Sequence, residues 1–296
     1  MGPKKPATPV YTGPKTPLKI LLLHGYTQSG PNFYAKSRAL QKHIIKNLPT
    51  YDVTFSCPSG PIPLFPEDVP GFHKLQGEES GNDVSTEAAE REPQMFAWWR
   101  HAPDDFDGLY RGLEESIDFV ADLAKKEGPF DGIIAFSQGA SFAAMLASLT
   151  EPNRKAAFDY FEKTPADNGR AGIPFPDAFE KSGHPPLKFA VCYSGFAAPG
   201  ARYRAFYNRP KISTPILHVV GSLDAIVDEN RTRTLIEACE ENPETNGRVI
   251  RHPGGHFLPS QRPYMDGTLQ FIKGILEPKK EEDKDEVGVE DMDVPF

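Results

Sequence analysis

Three short stretches of this chain hold residue types that together do acyl chemistry. In DGIIAFSQGASFAAML, residues 131–146, an apolar run ends in Ser137-Gln138-Gly139 and passes straight into small and apolar residues at helical spacing. A serine at a strand-to-helix turn lifts its Oγ above the strand ends, and the helix that follows aims its N-terminal amides and positive dipole end at the same point. Such a hydroxyl becomes a nucleophile once a base takes its proton. Downstream, SLDAIVDE carries Asp224 just beyond an apolar run, and HPGGHF carries His256 after Gly254-Gly255. Serine, acid and histidine in that chain order is an arrangement in which a carboxylate orients an imidazole toward a serine.

Each residue has a competitor. Asp228 opens the helical run 229–239 and is explained as its N-cap, whereas Asp224 follows a strand end. His252 ends a strand before a proline, whereas His256 sits on a glycine turn able to carry its ring over the site. A fourth stretch, LLLHGYTQSGPNF, ends an apolar run in His24-Gly25-Tyr26. The backbone amide of Tyr26, with that of Gln138, would receive the oxyanion of an acyl transfer. Taken singly, a capping serine, a surface histidine and a turn glycine are ordinary structural features. Four such features in this order on matching elements point to catalysis. Ala135 stands two residues before the serine where this turn often has glycine, so the motif reads A-x-S-x-G.

The elements that must position these residues are legible as well. Residues 18–23, 52–56, 131–136, 187–194, 215–221 and 248–252 are continuous apolar runs, the pattern of strands buried on both faces of a mostly parallel sheet. Leu109, Leu113, Ile117, Val120 and Ala124 recur at three- and four-residue steps and predict a helix that Gly128-Pro129 ends; Leu40, Ile44 and Leu48 predict another. Alternating strands and helices imply crossover units with helices on both faces. Residues 57–104 and 151–186 are too long for plain connections and carry aromatics, which predicts lid-like insertions. Among those aromatics Trp98 and Trp99, with Phe196, Tyr203 and Phe206 further on, are candidates for an apolar acyl pocket.

At 296 residues, 39% hydrophobic and 25% charged, the chain is long enough for one large α/β domain, expected over 17–278. Residues 1–16 are rich in proline and lysine, and 279–296 form an acidic run; both are expected to be disordered, the tail being a candidate interaction segment. A net charge of −8 argues against a nucleic-acid partner. Three widely spaced cysteines, Cys57, Cys192 and Cys239, supply neither a disulfide framework nor a metal site. With no secretory-type apolar start and no membrane-spanning run, these features predict a cytoplasmic or nuclear protein.

KILLLHGYTQSGPNFYAKSRAL, the Trp98-Trp99 pair, GPFDGIIAFSQGASFAAML, FAVCYSGF, SLDAIVDE and HPGGHFLP together resemble the FSH-type serine hydrolases, the fungal family that includes the ovarian-tumour-candidate hydrolase. The resemblance spans most of residues 18–275. It implies an α/β-hydrolase fold, esterase or thioesterase activity and no metal or organic cofactor, with Ser137, Asp224 and His256 as the triad. It also implies a small-molecule acyl ester or thioester as substrate; because some fungal relatives release polyketide acyl chains from carrier proteins, a thioester is as plausible as an oxygen ester, and a polyketide acyl-carrier thioesterase is an alternative. Two further alternatives stand beside this reading: an acyl-protein thioesterase or related carboxylesterase, which shares the F-S-Q-G turn, and a binding module built on a hydrolase fold.

Overall fold

The continuous apolar runs become one parallel sheet. The computed structural model describes residues 11–68, 94–101 and 108–277. In chain order the elements are β1 (Thr16–Leu23), α1 (Gly30–Lys36), α2 (Arg38–Asn47), β2 (Tyr51–Ser56), β3 (Ile62–Leu64), β4 (Met95–Ala97), β5 (Arg100–His101), β6 (Tyr110–Arg111) and α3 (Leu113–Glu127). They continue with β7 (Gly132–Phe136), α4 (Gln138–Leu149), α5 (Arg154–Lys163), α6 (Asp177–Ser182), β8 (Phe189–Tyr193), α7 (Arg204–Tyr207), β9 (Ile216–Gly221), α8 (Glu229–Glu237), β10 (Val249–His252) and α9 (Arg262–Leu276). The main sheet has six strands in the order β10-β9-β8-β7-β1-β2, with every neighbouring pair parallel.

Side-chain alternation sorts the core into two layers. Leu21, Leu23, Ile133, Ala135, Ala190 and Cys192 face one layer with α3 and α4, while Leu18, Ile20, Leu22, Ile134, Phe136 and Val191 face the other with α2 and α9. Burial on both faces is why these strands read as unbroken apolar runs. After Gln138, helix α4 is small or apolar all round, and each of its twelve residues is buried.

The chain runs from β1 outward to β2 and then returns to β7 on the other side of β1. Strand order therefore reverses between β1 and β7, and the crevice beyond their carboxyl ends is where open α/β sheets bind ligands. The stretches after β1 and β7 are His24-Gly25-Tyr26 and Ser137-Gln138-Gly139.

Several expectations change. Leu109 is not on α3: Gly112 at its N-cap has φ 88°, a left-handed conformation that stops the helix short of Leu109, which is exposed. Leu48 caps α2 but stays buried, and the run 229–239 is helical only to Glu237, with Ala238 as C-cap. The insertion 151–186 is not a lid over the serine. It forms α5 and α6, whose Phe158, Phe161 and Phe179 join the core. At its start the buried Arg154 pairs with Glu151 at 2.5 Å and donates to the carbonyls of Ala205, Pro210 and Lys211. Glu151 in turn accepts from the amides of Ser213 and Thr214, so the pair ties this segment to the approach to β9.

In the insertion 57–104, the described ends are ordered. Strand β3 pairs antiparallel with β4, and Ile62, Leu64 and Ala97 form a small cluster against Tyr26 and Met95. Phe72, the middle of that insertion, residues 1–10 and the acidic tail lie outside the described residues. Among the described residues, no helix is long and apolar enough to cross a membrane.

Candidate active site

Ser137 occupies the turn between β7 and α4 with φ 54° and ψ −120°, a conformation that L-residues avoid and that costs about 1–3 kcal/mol. Its own amide donates to the Tyr193 carbonyl at 2.8 Å, and its carbonyl accepts from Ser141 at 3.1 Å, so both sides of the turn are held. Gly139 is required because a Cβ there would lie 2.4 Å from the carbonyl oxygens of Leu23 and His24. Ala135 is fully buried in the core layer, so its methyl is accommodated and the turn keeps its geometry without glycine at that place.

The acid and the histidine arrive from the ends of β9 and β10. After β9, Asp224 accepts from the amides of Ile226 at 3.0 Å and Val227 at 2.8 Å through Oδ1, an Asx-type turn that fixes the carboxylate plane. After β10, the His256 loop lies directly on this turn: Leu223 N–H donates to the Gly254 carbonyl at 3.0 Å. That approach leaves no room at Gly221, where a Cβ would sit 2.6 Å from the Gly255 oxygen.

His256 bridges the other two residues. Its Nδ1 is 2.8 Å from Asp224 Oδ2, and its Nε2 is 2.9 Å from Ser137 Oγ. A carboxylate only accepts, so the proton sits on Nδ1 and leaves Nε2 to accept from the serine hydroxyl. The competitors are placed elsewhere. Asp228 caps α8 by accepting from the Arg231 amide at 2.9 Å, and His252 packs against Phe257 and Tyr264 with its Nδ1 toward the Gly254 amide.

Asp224 has a partner that sequence reasoning missed. Ser194, at the end of β8 with φ 50°, donates its Oγ to Asp224 Oδ2 at 2.8 Å. Burial pushes the Asp224 carboxyl up, but the hydrogen bonds from His256, Val227 and Ser194 together outweigh it, and the net pKa lies below the ordinary carboxylate value. In CYSGF a strand is followed by Ser-Gly much as in AFSQG, but nothing in the stretch directs that serine to Asp224.

Gln138 does more than contribute an amide. Its Oε1 accepts from the Trp98 amide and its Nε2 donates to the Trp99 carbonyl, both at 2.9 Å, fastening the tryptophan pair to the start of α4. The amide of Gln138 is the first in α4, one of those that helix geometry leaves without an intrahelical acceptor.

A cavity of about 330 Å³ opens beside Ser137, walled by Trp99, Tyr110, Phe196 and Val227, with Tyr26, Asp68, Gln138 and Arg231 also on its surface. Of the aromatics expected there, Trp99 and Phe196 line it. Trp98, Tyr203 and Phe206 do not, because each is claimed by the core behind it. Trp98 is fully buried against His24 and Phe142 and donates Nε1 to the His24 carbonyl at 2.8 Å. Tyr203 stacks behind Tyr110, and Phe206 packs edge-on against Phe158. A second cavity of about 230 Å³ is lined by His256 with Phe136, Phe257 and Leu258. Among the described residues no group of three or more His, Cys, Asp or Glu is arranged to hold a metal ion.

Residues 14–268 match the family described as serine hydrolase (FSH1). The chain belongs to this family of serine hydrolases. The hydrolase is 30% identical over 265 residues to esterase OVCA2 of Danio rerio, an overlap of 87% of this chain and 97% of that protein. It is 29% identical over 264 residues to family of serine hydrolases 3 of Saccharomyces cerevisiae, covering 89% and 86%. It is also 33% identical over 256 residues to a Schizosaccharomyces pombe protein named dihydrofolate reductase, covering 86% of this chain but only 47% of that longer protein. Among solved structures it resembles Zea mays acyl-protein thioesterase 2 (TM-score 0.51, 20% identity, 90% and 96% covered) and esterase PE8 (TM-score 0.52, 19% identity, 90% and 96% covered). These likenesses show the α/β-hydrolase fold.

Proposed function

We propose that this hydrolase cleaves small carboxylic esters and thioesters through an acyl-enzyme on Ser137. The observation that carries the reading is His256, within hydrogen-bond distance of Ser137 on one ring nitrogen and of Asp224 on the other. Ser137 Oγ attacks the acyl carbonyl while His256 Nε2 takes its proton, and Asp224 holds the Nδ1 tautomer and stabilises the imidazolium. The amides of Tyr26 and Gln138 receive the oxyanion. As the tetrahedral centre collapses, His256 returns the proton to the departing alkoxide or thiolate. Water, deprotonated by the same nitrogen, then releases the acid and regenerates the serine.

Trp99 and Phe196 form the apolar side of the acyl pocket in this reading. The three cysteines are free, which suits action in a reducing cytoplasm or nucleus. Matched oxygen esters and thioesters of graded acyl length test the proposal. Turnover of both, with a burst of leaving group equal to enzyme when deacylation is slow, is the expected result. Absence of hydrolysis with every member, in protein that is folded, would return the chain to the binding-module reading.

A further inference from the structure

Resting on the acyl-enzyme reading, the geometry points to Arg231 as an anion-recognising residue in the acyl pocket, so that the preferred acyl group carries a carboxylate at its far end, as in monoesters or monothioesters of dicarboxylic acids. The first step is to decide which cavity takes which half of the substrate. The leaving group receives its proton from His256, so it departs toward the 230 Å³ cavity that His256 walls with Phe136. The acyl half then lies in the 330 Å³ cavity, which holds Ser137 and the Gln138 amide.

That cavity is apolar on most of its wall, yet a guanidinium reaches it. Arg231 is exposed at the first turn of α8, and its Nη1 donates to the Ile226 carbonyl at 2.8 Å. Its Cζ stands 4.2 Å over the Phe196 ring, itself a wall of the cavity. These two contacts hold the cation toward the cavity and leave its other nitrogens without an acceptor among the described residues. By contrast, Arg251 pairs with Glu229 and Glu244, and Arg100 with Asp68. Among the described residues no carboxylate pairs with the Arg231 guanidinium; Asp228 Oδ1 accepts from the Arg231 amide instead.

Asp68, the acid on the same wall, does not supply the missing charge. Its two carboxylate oxygens each lie 3.1 Å from Arg100, and one also accepts from the Phe65 amide. Burial and then Tyr203 raise the Tyr110 pKa, and Arg231 offsets only part of that rise. A planar fork of donors beside an apolar wall is suited to a carboxylate.

The test compares aryl monoesters of glutarate and adipate with aryl pentanoate and hexanoate, all sharing one leaving group, in wild type, Arg231→Gln and Arg231→Lys. A further arm uses hexanoate esters whose leaving group bears the carboxylate. Wild type is expected to favour the dicarboxylate monoesters, with the ratio of their specificity constants to the neutral esters falling roughly ten- to a hundredfold in Arg231→Gln and less in Arg231→Lys. An unchanged ratio in Arg231→Gln overturns the inference while leaving the hydrolase reading intact. A preference confined to the anionic leaving group overturns the assignment to the acyl half. Absence of turnover with all esters in folded wild type fails the underlying reading itself.

Discussion

A single hydrogen bond separates the two aspartates of SLDAIVDE. Asp224 accepts from His256, whereas Asp228 accepts from the Arg231 amide at the start of α8. Asp224→Asn is expected to lower turnover by roughly 10⁴, because an amide in that place favours the wrong imidazole tautomer, with little change in melting. Asp228→Ala is expected to cost about 1 kcal/mol of stability by removing the cap, read as a lower urea midpoint. Large kinetic loss in the second variant and none in the first would exchange their roles. Ser137, Asp224 and His256 were legible because each follows a strand and the order is informative. Ser194 and Arg231 were not. One is a lone serine at a strand end, the other one arginine among several on a helix, and only the fold brings them to Asp224 and to the cavity.

At the scale of elements, β1, β7, β8 and β9 were readable because burial on both faces leaves no polar alternation to confuse with a helix, whereas the edge strands β2 and β10 are only partly buried. The tryptophan pair shows the limit of that reading. Adjacent residues in extended chain point to opposite sides, so one indole must face the core and the other can face the cleft, but periodicity alone does not say which. Here Trp98 is the core residue and Trp99 the wall of the cavity. Trp98→Ala is therefore expected to destabilise by about 3–5 kcal/mol in urea unfolding, since it empties a closed site and orphans the His24 carbonyl. Trp99→Ala is expected to lower the octanoate-to-acetate ratio of specificity constants, as each methylene buried against the ring contributes about 0.8 kcal/mol. A shifted ratio from Trp98→Ala with none from Trp99→Ala would reverse the assignment. The segment 151–186 was misread for a related reason. Its aromatics belong to amphipathic helices docked on the core, and an aromatic count does not distinguish a lid from a docked helix.

The whole molecule carries a pH dependence set by buried imidazoles. Burial lowers His24 to about 4, against a smaller upward pull from the Gly25 carbonyl. Its ring is committed in the neutral form, with Nδ1 toward the Gly25 carbonyl and Nε2 accepting from the Gly60 amide. Burial likewise lowers His218 to about 3. Both folded values lie below the unfolded value near 6.5, so the unfolded chain takes up protons first as pH falls. Stability contributed by keeping these rings neutral is present above about pH 6.5 and is lost on acidification toward pH 4. The urea midpoint is expected to drop clearly between pH 7.5 and pH 5. A flat midpoint across that interval would mean that the rings are charged in the folded protein.

The central claim is that Ser137, held at a strained turn and joined to His256, is the nucleophile. Labelling of purified wild type and Ser137→Ala with a fluorophosphonate probe, followed by mass mapping of the modified peptide, tests it most directly. The account predicts one label per chain on the peptide containing Ser137. In the Ser137→Ala variant it predicts no label, melting within a few degrees of wild type, and ester turnover reduced on the order of a millionfold. Undiminished labelling of a folded Ser137→Ala protein at another residue, with turnover retained, would contradict it.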